Sequence, residues 1–164
     1  MSFSEATGRR IDRLLGEYGE SHQNHKNKAI HWICVPIIFW TVTALLWSVP
    51  TPIGFSNISP WLNWCTIGLG LSIIYYLSLS ITLAIGMAVF SALMVWINMT
   101  YQQFGLGIPL WQTALAVFVI AWIGQFIGHH IEGKKPSFFK DLQFLLVGPA
   151  WLMHFIYKKT GIPY

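Results

Sequence analysis

Charge is missing from most of this chain. From Trp32 to Ile131 there is no Asp, Glu, Lys or Arg; the ten basic and six acidic residues all lie outside that segment. A soluble domain interrupts its apolar positions with charge every turn or two because its surface must be hydrated, whereas a helix in lipid keeps its surface apolar. The absence therefore excludes an ordinary water-soluble fold. Cysteine is scarce too. Cys34 and Cys65 sit in apolar runs without CxxC spacing, which argues against a disulfide framework or a thiolate metal site and predicts two buried thiols. No GxGxxG, P-loop or GxSxG string is present, so no nucleotide fingerprint or serine nucleophile is predicted. The first 28 residues are polar and mixed in charge, without the apolar core of a secretory signal, and no removed targeting peptide is expected.

What remains is 54% hydrophobic and 16% aromatic, the composition of an all-α, polytopic membrane helix bundle, read as a single domain over 1–164. About 20 apolar residues cross a bilayer. Turn signals divide the charge-free region into four spans. The first runs from about Ala29 to Val49 and stops at Pro50-Thr51-Pro52-Ile53-Gly54. The stretch Trp61–Met99 is too long for one span and is divided by a turn near Ser78 to Ile81. A loop around Gln102, Gly105, Gly107 and Pro109 leads to the last, from about Leu110 to Gly128. Trp47, Trp61, Trp64, Trp96, Tyr101 and Trp111 fall near the expected ends. Leu142–Tyr157, short and broken by Gly148-Pro149, reads as re-entrant or interfacial, with a fifth span as the alternative.

The net charge of +4 could suggest nucleic acid, but its placement argues against it. Arg9, Arg10, Arg13, Lys26 and Lys28 precede the apolar region; Lys134, Lys135, Lys140, Lys158 and Lys159 follow it. Such flanks mark the cytoplasmic side. Both termini are expected there, which requires an even number of spans. Small residues such as Gly68 and Gly70 are expected to let the middle spans pack closely.

Histidine is the informative residue. His22, His25 and His31 lie at the start of the first span and His129 and His130 at the end of the fourth, so the topology puts both groups at one face of the bilayer. Imidazole is the commonest protein ligand for transition metals, and ionisable groups at membrane depth mark sites. In one unbroken helix His22 and His31 would diverge, about 13 Å apart along the axis. The run from Ser21 to Lys28 supplies a break, with Asn24 or Asn27 capping the first span. His129 and Glu132 share a helical face with Gln125 one turn earlier, offering a further ligand or a group that orients an imidazole. His154 reads as structural.

Two strings are distinctive: Tyr18-x-x-x-His22-x-Asn24-x-x-Asn27-Lys28-x-Ile30-His31 running into Val35-Pro36, and Gln125-Phe126-Ile127-Gly128-His129 followed by Glu132-Gly133-Lys134-Lys135-Pro136. Together they resemble the 2-hydroxy fatty acid dioxygenase family of phytosphingosine metabolism, found in fungal endoplasmic reticulum and in bacteria. The resemblance implies an iron(II)-dependent membrane enzyme, of a bacterial inner membrane or the endoplasmic reticulum, that uses O2 to shorten a long-chain 2-hydroxy fatty acid by one carbon. It implies that His22, His31 and His129 hold the metal, with Glu132 as a further ligand. Asn24, Asn27, Lys28, Lys134 and Lys135 are the expected substrate-binding residues. His25 and His130 fall where the family has no histidine, and Gln23 stands where the fungal pattern has a second one. The implied partners are the hydroxy acid, O2 and the lipid bilayer, with no nucleic acid and no protein partner. A histidine-ligated haem electron carrier and a non-enzymatic membrane scaffold are the competing readings.

Overall fold

A computed structural model of the chain describes residues 8–104, 107–133 and 144–164. Seven helices run through them: α1 Arg10–Glu20, α2 His25–Ser48, α3 Ile53–Ile58, α4 Trp64–Leu77, α5 Ile81–Phe104, α6 Leu110–Glu132 and α7 Val147–Thr160. There is no strand among the described residues. Helices α2, α5 and α6 are long and apolar enough to cross a membrane. Their outer surface agrees with that role, since Ile33, Ile85, Val89, Ile120, Ile123 and Ile127 are exposed. Water does not tolerate a continuous patch of this kind, whereas lipid does.

Helix α4 is shorter than the span expected there. It is apolar, but its 14 residues extend only about 21 Å, short of a hydrocarbon core of about 30 Å. Asn63 starts it, accepting from Thr66 N while the Thr66 hydroxyl accepts from Asn63 N, a reciprocal cap. It ends at Leu77, where the sequence placed the turn. Helix α5 runs on to Phe104, so Trp96 lies two turns inside it and not at its end. The expected loop after Val49 contains the short α3.

The course of the chain is antiparallel. Trp64 Nε1 donates to Pro50 O, and Trp47 Nε1 donates to Gln102 Oε1, which puts the end of α2, the start of α4 and the end of α5 together. At the opposite end Tyr157 of α7 donates to Thr82 O of α5, and Tyr76 of α4 donates to Leu146 O. The α1–α2 junction meets the end of α6 there through Glu132. Helices α1 and α7 therefore cap one end of the bundle, with Ile11, Leu15 and Tyr18 of α1 packed in one core cluster with Val147, Ala150, Trp151 and Leu152. Those three α1 residues, spaced four and three apart, form one stripe, leaving Arg10, Arg13, Glu17 and Glu20 exposed. The C-terminal apolar stretch thus forms a helix packed on α1, α2 and α5.

The principal packing pair is α2 with α6. A Cβ on Gly124 would run into Cys34 Sγ, and one on Gly128 would run into Asn27 Oδ1 and stand 3.2 Å from His31 Cε1. Four residues apart, the two glycines form a groove that admits α2, the small-xxx-small device of membrane helices. This spacing was present in the sequence, yet the expectation of close packing attached to Gly68 and Gly70. Gly70 faces no neighbour, and Gly68 makes only ordinary contact with Leu46.

Candidate metal centre

The break between α1 and α2 builds the site. Helix α1 ends at Glu20, and Asn24 caps α2 by accepting from Lys26 N. The chain turns between them, so His22 leaves the helical path and folds back over the second turn of α2, where His31 sits. His129 arrives on α6 across the glycine groove. Among the described residues these three are brought together. One ring nitrogen from each lies within 4.8 Å of the others, and all three side chains are buried. The rings meet edge to face, with centroids 4.2 Å apart for His22–His31, 5.3 Å for His22–His129 and 5.1 Å for His31–His129.

Their hydrogen bonds decide which nitrogen is available. His22 Nδ1–H donates to Tyr18 O at 2.6 Å, and His31 Nδ1–H donates to Asn27 O at 2.9 Å. A carbonyl only accepts, so each Nδ1 carries the proton and each Nε2 carries a lone pair. Both bonds reach back one turn, to the residue four before. His31 Nε2 is buried without a hydrogen-bond partner in the structure. A buried acceptor left so is unfavourable by about 1–3 kcal/mol unless something fills it, and a cation is one group that could. A triangle of nitrogens this size suits a first-row ion, which stands about 2.1 Å from each imidazole. Tyr18 stacks on His22 at 4.2 Å and Trp151 flanks it at 5.3 Å, shielding the site from water.

Glu132 stands apart from that triangle. Its carboxylate accepts from Gln23 N, from Asn24 N through both oxygens, and from Asn27 Nδ2, at 2.8–3.1 Å. It clamps the loop that carries His22 to the end of α6. Asn27, fully buried, also donates to Ser21 O, so it ties the same loop to α2. Asn24 is the cap. Lys28 lines an outer groove with His25, Lys158 and Lys159. His25 and His130 are exposed, outside the triad. Lys134 and Lys135 lie outside the described residues. His154 bonds to the Tyr164 hydroxyl, and Cys34 and Cys65 are buried free thiols.

Gly128 holds the two halves of the site at contact distance. With Gly128→Ala, Asn27 is expected to rotate away and α2 to move off His129, destabilising the protein by about 1–3 kcal/mol and lowering its metal content. Thermal unfolding in detergent and metal analysis check both.

Residues 9–160 match the family model described as 2-hydroxy-palmitic acid dioxygenase Mpo1-like. The chain is also 30% identical over 152 residues to the 2-hydroxy-palmitic acid dioxygenase MPO1 of Saccharomyces cerevisiae, an alignment covering 91% of this chain and 81% of the yeast protein. No solved structure matches it. The strings around His22, His31 and His129 that carried the resemblance fall inside the matched region, and the chain belongs to the Mpo1-like family of 2-hydroxy-palmitic acid dioxygenases.

Proposed function

We propose that this protein is a membrane-embedded, iron(II)-dependent dioxygenase that cleaves a long-chain 2-hydroxy fatty acid to the acid one carbon shorter. The observation that carries the reading is the convergence of three buried imidazoles, two with Nδ1 tied to carbonyls, in a chain of this family. Three neutral nitrogen donors without thiolate suit a divalent first-row ion that keeps positions open. When bound, iron(II) supplies the redox chemistry that lets O2 react with a closed-shell acid. The chain's own part is to hold the rings. Tyr18 O and Asn27 O fix the tautomers of His22 and His31, Glu132 and Asn27 hold the loop, and Tyr18 and Trp151 keep water from the rings.

The reaction balances as R–CHOH–COOH + O2 giving R–COOH + CO2 + H2O. The C1–C2 bond breaks, C2 rises from the alcohol to the acid level, and C1 leaves as carbon dioxide. O2 takes all its electrons from the substrate, so no external reductant enters, in keeping with a sequence free of nucleotide fingerprints. A haem carrier needs a slot for a flat macrocycle between its histidines, and rings in edge contact leave none.

Iron(II) protein prepared without oxygen and then given O2 and a long-chain 2-hydroxy acid should release one carbon dioxide per O2 consumed. It should need no 2-oxoglutarate, NADPH or flavin partner. The non-hydroxylated acid should be inert. Absolute dependence on an added organic co-substrate, or equal turnover of the plain acid, would overturn the mechanism.

In the membrane we place α2, α4, α5 and α6 as four crossings with both termini cytoplasmic, α1 and α7 lying at that face. Support comes from the ten basic residues, all in terminal segments, and from the antiparallel course that joins α1 and α7 at one end. Cysteines introduced at Glu17 and Thr160 should resist an impermeant maleimide in intact cells, whereas one at exposed Asn57 should react. Labelling of both terminal positions from outside would sink the topology.

A further inference from the structure

The first turns of α2 and the last turns of α7 meet in an open groove of about 950 Å³, within the range of about 300–1,000 Å³ usual for ligand sites. Its lining falls into two parts. Lys28 of α2 and Lys158 and Lys159 of α7 bring three cations, with His25 beside them, and Trp32, Phe155 and Ile156 form an apolar floor. On each helix a cation and a ring stand one turn apart, Lys28 four residues before Trp32 and Lys159 four after Phe155. The two rings meet at 6.2 Å, so the helices share one floor.

The cations have no counter-charge. No carboxylate lines the groove, and the one salt bridge among the described residues joins Arg9 to Asp12. Glu132, which reaches the start of α2, is taken up by Gln23 N, Asn24 N and Asn27 Nδ2. Three like charges around one space repel each other, and an anion seated between them removes that repulsion. Charge alone does not describe the ligand. Trp32 and Ile156 are 42% and 43% exposed, and a small hydrated anion would leave that apolar surface uncovered. A phosphate carrying an acyl chain satisfies both parts, at the head-group level where tryptophan and lysine sit together.

We propose that this groove is a site for one anionic phospholipid. Its phosphate is held by Lys28, Lys158 and Lys159, and the first methylenes of an acyl chain lie over Trp32, Phe155 and Ile156. Basic pockets between membrane helices on the cytoplasmic side take such head groups. The site does not depend on the dioxygenase chemistry; only the leaflet, the cytoplasmic one, rests on the topology above. The lipid joins α2, which carries His31, to α7, whose Trp151 flanks His22.

A long-chain 2-hydroxy acid is the competing occupant. Phe155 meets Trp151 at 4.7 Å and Trp151 meets His22 at 5.3 Å, so an aromatic layer stands between the groove and the histidines. A carboxylate among the lysines would keep C1 and C2 on the far side of that layer. A lipid that is bound and not transformed needs no access to the triad.

The test uses the full-length protein, stripped of lipid in neutral detergent and titrated with phosphatidylglycerol or phosphatidylcholine of equal chain length under native mass spectrometry. One phosphatidylglycerol should bind about a hundredfold more tightly than phosphatidylcholine, near fivefold for each cation. The combined Lys28→Gln, Lys158→Gln and Lys159→Gln variant should erase that difference, and the exposed pair Lys158→Gln and Lys159→Gln should by itself reduce it about 25-fold. Arg10→Gln with Arg13→Gln, outside the groove, should leave it unchanged. A diazirine near the top of the phosphatidylglycerol acyl chain should label Trp32, Phe155 or Ile156. Equal retention of the two lipids, a preference that survives the triple variant, or label confined elsewhere overturns the site. So does glycerol phosphate that competes at the lipid's own concentration, which marks a bare phosphate site, or a 2-hydroxy acid that binds there more tightly than the lipid, which gives the groove to the acid. Carbon dioxide release is read separately, so failure of this site and failure of the dioxygenase reading are distinguishable.

Discussion

Alanine at His22, His31 or His129 is expected to remove nearly all bound iron and to lower turnover by at least about a hundredfold, beyond the range seen when only a group orienting a ligand is lost. The three side chains meet at contact distance with one ring nitrogen each inside a 4.8 Å span. Loss of one leaves two donors, too few to hold a labile divalent ion against water. The substitutions should not unfold the bundle, because α2–α6 contact depends on Gly124 and Gly128 and the α1–α7 core on Ile11, Leu15 and Trp151. Iron per protein after anaerobic purification, read beside circular dichroism, gives the result. Full occupancy in all three variants would refute the metal assignment. Alanine at His25 or His130, both exposed, serves as the control and should leave the iron in place.

Glu132 is expected to behave differently from the histidines, and the difference separates a clamp from a ligand. Glu132→Ala deprives Gln23 N and Asn24 N of their acceptor and Asn27 Nδ2 of one of two. Hydrogen bonds to a charged acceptor contribute about 1.5–3 kcal/mol each when buried. This carboxylate is only partly covered, so the combined loss is discounted for solvent to about 2–3 kcal/mol. The loop carrying His22 then loosens, and iron affinity should fall about 10–100-fold. Glu132→Gln keeps one carbonyl oxygen for the two backbone donors, and should retain iron while unfolding at a lower temperature. If Glu132 instead left the loop to ligate the ion, Glu132→Gln would lose iron as completely as the alanine variants at His22, His31 and His129.

The sequence by itself determined the helical class and the presence of helices apolar enough to cross a membrane, because a charge-free stretch of this length offers water no surface to hydrate. It also determined a break within Ser21–Lys28, since a capping asparagine begins a new helix through bonds among neighbours, and the structure chose Asn24 over Asn27 as that cap. The turn near Ser78 was legible as well, and the family strings singled out His22, His31 and His129, the three imidazoles that the fold brings together. Tertiary structure decided the rest. Spans apolar on every side carry no periodic stripe, so hydrophobic periodicity in α2 or α6 does not say which face is buried. That choice came from Gly124 and Gly128, whose missing Cβ atoms let α2 approach. The role of Glu132 depended on backbone donors more than 100 residues away in sequence, beyond the reach of any spacing rule. The shortness of α4 was equally invisible, because helix length within one apolar run is set by packing across the bundle and not by neighbours along the chain.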